Sequence, residues 1–83
     1  MMHFKCLLSF AKHLEDVNDF KRALSYFQEA CLTHNIAKKD LWFCYLKIAK
    51  CHSKLKNFER AGIAMEQVIL LEEMYEEVFT REE

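Results

Sequence analysis

Four cysteines and four histidines are the side chains of this sequence best suited to chemistry: Cys6, Cys31, Cys44 and Cys51, with His3, His13, His34 and His52. Cys44 and Cys51 stand seven residues apart with His52 adjacent, so a helix would bring both thiols to one face. Such a set is the raw material of a structural zinc site or of a Cys–His nucleophile. Metal sites use tighter ligand clusters than this, and His3, His13 and His34 are scattered. A phosphate-cradling loop needs several glycines, whereas this chain has only Gly62, set inside a helical pattern. The expectation is a non-enzyme with no metal and no cofactor.

The lysines are more suggestive. Residues 34–60 carry seven Lys or Arg against two acids, and Lys47, Lys50 and Lys54 follow helical spacing along one face. That face suits an acidic protein segment. Nucleic acid is not expected, because the net charge is −1 and the lysine face lacks a clear aromatic stacking platform beside it. Charges interrupt every window long enough to span a membrane, and the opening MMHFKCLLSFAKHLE is too charged for a secretion signal. Cysteines that all fall within helical patterns behave as small apolar residues, which fits a reducing cytoplasmic location.

The elements that position these residues are helices. A chain of 83 residues has room for one small domain, and with one Gly and no Pro it cannot supply the turns of a sheet protein. Apolar residues recur with a period of 3.6 in four segments, about 2–16, 20–34, 40–55 and from 58 onward. The first aligns Phe4, Leu7, Phe10, Ala11 and Leu14; the second Ala23, Tyr26, Phe27, Ala30 and Cys31; the third Leu41, Tyr45, Ile48, Ala49 and His52. Asp19, Asp40 and Asn57 are the expected N-caps, and Asn18 suits a left-handed turn. Short joins make neighbouring helices antiparallel, so the expected fold is all-α, with two helical hairpins in series.

Two phrases then answer each other: DFKRALSYFQEA from Asp19 and NFERAGIAMEQV from Asn57. A shift of 38 superposes them without a gap and also lays Cys6 on Cys44, Leu8 on Leu46, Ala11 on Ala49 and Lys12 on Lys50. Repeats of this length mark stacked architectures, in which each unit has an apolar face it cannot bury alone. The pattern resembles the tetratricopeptide repeat family, helix–turn–helix units of about 34 residues. Its first-helix positions hold Leu7, Phe10, Ala11 and Leu14, then Tyr45, Ile48, Ala49 and His52. Its second-helix positions hold Phe20, Ala23, Phe27 and Ala30, then Phe58, Ala61, Met65 and Val68. The chain departs from the family at the turn glycine, where Asn18 and Lys56 stand, and at the final proline, where Asn35 and Glu73 stand.

The resemblance implies one domain over residues 1–83, with repeats at about 4–37 and 42–75 and a helix extension at about 76–83, stacked as an α-solenoid. It also implies a protein–protein interaction module, an adaptor or scaffold. Its groove would be lined by Lys5, Leu8, Lys12, Leu46, Lys50 and Lys54 and would bind a peptide or helix of a partner.

The last helix raises a second expectation. Ala61, Ala64, Val68, Leu71, Tyr75 and Phe79 form a core-facing stripe, while Ile63, Leu70 and Met74 form another on nearly the opposite side. That end face awaits a covering helix, from a partner or from self-association into a homo-oligomer. From Glu66 onward there are seven acids and one base, read as a solvated helix end.

Overall fold

The computed structural model describes the backbone of residues 3–82 and the side chains of residues 3–74. It is all-helical, in the order α1 (Phe4–Asp16), α2 (Phe20–Cys31), α3 (Lys38–Lys54) and α4 (Phe58–Glu82), with no strand among the described residues. Close backbone packing joins each helix to its neighbours in sequence, α1 to α2, α2 to α3 and α3 to α4. The radius of gyration is 13.4 Å, against about 12 Å for a compact chain of this length. The elongation comes from α4, whose 25 residues run for about 38 Å.

Local chemistry fixes the helix starts. His3 Nδ1 accepts from the Lys5 N–H at 3.2 Å, and Asp19 Oδ1 accepts from the Arg22 N–H at 3.4 Å. α3 starts earlier than expected, with Ala37 at the cap position and no side-chain cap. Asp40 lies instead in the first turn, where its charge still faces the positive end of the helix dipole.

The α1–α2 and α3–α4 turns are copies of each other. Asn18 and Lys56 both adopt the left-handed conformation, at φ 63° and 65°. The Asn18 N–H bonds to the Glu15 carbonyl at 3.0 Å and the Asp19 N–H to Leu14 at 2.8 Å. At a shift of 38, the Lys56 N–H bonds to Ser53 at 3.0 Å and the Asn57 N–H to His52 at 2.8 Å. Both are the paired 5→2 and 6→1 bonds that close a helix end on a left-handed residue. The α2–α3 join is different in kind: Asn35 is left-handed at φ 58°, in a longer link.

Small residues let the helices approach. Ala11, Ala23 and Ala30 have no exposed surface, Ala49 is buried, and Ala61 is partly buried. The larger core cluster gathers Ala11, Ala23, Phe27, Ile48, Ala49, Cys51 and Ala64; a smaller one holds Leu7, Ala30 and Cys44. Ala64, Val68 and Leu71 are buried as the core stripe of α4, while the side chains of Tyr75 and Phe79 lie outside the described residues. Three expected core positions are on the surface instead: Phe10 is 50% exposed, Phe58 66% and Met65 39%. Phe10 stacks on Tyr26 with ring centroids 5.9 Å apart, which covers one side of it only. Phe58 and Met65 lie on a face of α4 that no other helix among the described residues covers.

Candidate functional site

Every expected groove residue lies on α1 or α3, and the two helices meet through side chains. Leu8 is half-buried and packs against both core clusters, so it supports the face more than it lines it. Leu46 is half-buried, and Lys5, Lys12, Lys50 and Lys54 are exposed. The centre of the face is an acid that the sequence pattern did not point to. Glu15, with its side chain only 11% exposed, accepts from Lys47 Nζ at 3.1 Å and pairs with Lys50 Nζ at 3.6 Å. The second contact is an ion pair, too long for a hydrogen bond, so Glu15 Oε2 has no hydrogen-bond partner among the described residues.

Phe43 was also missed. Lys12 Nζ lies 5.4 Å from the centre of its ring and Lys47 Nζ 5.5 Å, so the half-buried ring attracts a cation from each of two helices. The lysine face therefore has an aromatic residue after all, but the protein's own ammonium groups sit over it and compete with any stacking base. Lys5 and Lys54 make no ion pair among the described residues and remain the cations most available to a ligand.

The cysteines do not assemble into a reactive centre. Cys44 and Cys51 are both fully buried, one in each core cluster, and both thiols are held protonated. A hydrogen bond from Cys44 to Cys31 pushes the Cys44 pKa far up, with burial adding to it, and lowers that of Cys31. Burial, reinforced by the charge of Glu15, pushes Cys51 up to about 11. No group of three or more His, Cys, Asp or Glu side chains among the described residues is placed to hold a metal ion.

A groove of about 350 Å³ opens between α2, α3 and α4, bordered by Gln28, Leu32, Tyr45, His52, Arg60 and Ile63. His52 is 4% exposed, and its Nδ1 has no hydrogen-bond partner among the described residues. Burial lowers its pKa, and the Arg60 charge lowers it further, so the ring is held neutral. The groove runs along α3, with α2 on one side and α4 on the other. On α4, Ile63 (56%), Leu70 (53%) and Met74 (42%) are exposed. No helix is long and apolar enough to cross a membrane, among the described residues.

No family model matches this chain, and neither a curated protein nor a solved structure matches it.

Proposed function

We propose that the chain is a non-enzymatic protein-interaction module, built as two antiparallel helical hairpins stacked in the manner of tetratricopeptide repeats. The duplicated turns at Asn18 and Lys56 support the hairpins, because three-residue joins closed by the same bonds fold each second helix back on its first. Free thiols, two of the four buried, suit a reducing cytoplasmic setting.

The observation that carries the functional reading is the array across α1 and α3: Glu15 holds Lys47 and Lys50, and Lys12 and Lys47 flank Phe43. The ion pairs fix these long side chains, which reduces the ordering cost when a partner binds. Phe43 and Leu46 offer half-exposed apolar contact, and Lys5, Lys12 and Lys54 offer positive charge around it. A peptide or helix that alternates acidic and apolar residues fits this face. Rim charges of this kind act mainly on association rate and partner choice.

The test is affinity capture with the wild-type chain and with a Lys5→Glu, Lys12→Glu, Lys54→Glu variant, checked for unchanged helicity by circular dichroism. The module reading expects specific proteins to be lost by the variant and to be retained less well by the wild type as salt rises. Equal retention of every captured protein by both chains sinks the groove.

A further inference from the structure

The chain joins its two halves through a pair of stripes. Along α3 to its C-cap the stripe is Cys44, Ile48, Cys51 and Leu55, and on α2 it is Phe20, Leu24, Phe27 and Cys31. Each set steps by four, three and four residues, the spacing that keeps side chains on one helix face. Phe27, Ile48 and Cys51 lie together in the larger cluster with Phe20, Leu24 and Cys31 packed against it, and Cys44 meets Cys31.

Shifting each stripe by 38 residues finds it again, uncovered. The α3 stripe becomes Cys6, Phe10, His13 and Val17, which run along α1 to its cap and are all exposed. The α2 stripe becomes Phe58, Gly62, Met65 and Ile69 on α4, also all exposed. One end of the molecule thus carries a free copy of one side of the internal joint, and the other end carries a free copy of the opposite side.

We propose that a second copy of this chain docks its α1 stripe onto the α4 stripe, so that the internal joint is repeated between molecules. The inference rests on the two-hairpin reading and is independent of the α1–α3 face. Stepping one turn at a time from the Cys31–Cys44 contact pairs Phe27 with Ile48, Leu24 with Cys51 and Phe20 with Leu55. The intermolecular pairs are then Ile69 with Cys6, Met65 with Phe10, Gly62 with His13 and Phe58 with Val17. The sizes compensate: an aromatic facing an aliphatic becomes an aliphatic facing an aromatic, and Leu24 facing Cys51 becomes Gly62 facing the larger His13. Gly62 provides the room, since a Cβ built there meets no atom of the described residues within 4 Å. The joint uses different surfaces on its two sides, so the assembly is head-to-tail and open-ended.

Sedimentation equilibrium under reducing conditions tests this. The wild-type chain gives a weight-average mass that climbs with concentration past that of a dimer. Phe10→Lys and Met65→Lys, each at an exposed site and each checked for helicity, abolish that climb separately. Mixed, they give a one-to-one pair that grows no further, because each variant keeps one intact face. A wild-type chain that stays monomeric at millimolar concentration overturns the proposal, and so does a variant mixture that stays monomeric. A dimer that survives either substitution does the same. As a second readout, Ile69→Cys brings a thiol beside Cys6 of the neighbouring copy, so mild oxidation followed by peptide mapping should recover that intermolecular link. The Lys5→Glu, Lys12→Glu, Lys54→Glu chain keeps the concentration-dependent mass. Equal capture by the two chains with association intact therefore sinks only the groove, and capture lost by the variant from a wild-type chain that stays monomeric sinks only the stacking.

Discussion

α2 and α4 are written from the same phrase and each follows a turn of the same geometry, yet they sit in different surroundings. Phe27 has no exposed surface, whereas Met65, its counterpart 38 residues on, is 39% exposed. Phe20 is half-buried and Phe58 is 66% exposed. What separates the pairs is the helix beyond: α3 lies over α2, and no described helix lies over the matching face of α4. Burial in a repeat is a property of the neighbour as much as of the residue.

The comparison breaks most visibly under truncation. Phe27→Ala removes a fully enclosed ring and is expected to cost about 3–5 kcal/mol, a large share of the roughly 5–15 kcal/mol that holds a small domain together. Met65→Ala at the equivalent place should cost less than about 1 kcal/mol in the isolated monomer, because surface changes are usually small. Urea titrations at a concentration too low for association should separate the two by several-fold. Equal losses would mean that the α4 face is already covered in solution.

The same contrast explains what could be read in advance. Helices, left-handed turns and alanine notches are local or periodic, and the pattern of apolar residues and the repeated phrase carry them. Asn18 and Lys56 stand out because they occupy the turn in both copies, and Ala11, Ala23 and Ala49 because close crossings tolerate little else. Glu15 was illegible for the converse reason. Its counterpart is Ser53, so the duplication gives no hint of it, and its lysine partners lie 32 and 35 residues away. Phe43 corresponds to Lys5, and nothing in its own helix shows that Lys12 will reach its ring. Phe10, Phe58 and Met65 sit where the helical period expects core, but the period cannot say whether a neighbour covers them.

A smaller difference separates the first helices. Where α1 has Leu14, α3 has His52, buried and with Nδ1 unpaired among the described residues. His52→Leu makes α3 more like α1 and removes an unsatisfied polar atom, for an expected gain of about 1–2 kcal/mol. The pH dependence identifies the cause. The folded-state pKa of His52 is lowered, so protons bind the unfolded chain more readily than the folded one. The stability tied to this ring is complete above the ordinary histidine value of about 6.5 and is lost as pH falls toward the lowered folded value. Melting temperatures measured from pH 7.5 down to pH 5 should fall for the wild type, and fall less for His52→Leu. Parallel slopes for the two chains would place the acid sensitivity elsewhere.

The turns offer the finest contrast, because the backbone is the same and only the residue differs. Asn18 sits at φ 63° and Lys56 at φ 65°, each closing its helix with the same two hydrogen bonds. Asn tolerates the left-handed region through its short polar side chain, whereas Lys meets the ordinary steric penalty there. Glycine avoids that penalty, but it also gains freedom in the unfolded chain, which takes back part of the benefit. Lys56→Gly is therefore expected to stabilise the fold by about 0.5–1 kcal/mol, and Asn18→Gly by a few tenths at most, since the strain it relieves is smaller. Thermal unfolding of the two variants beside the wild type measures the difference. A larger gain at Asn18 than at Lys56 would show that the two turns, though alike in backbone, are held by different forces.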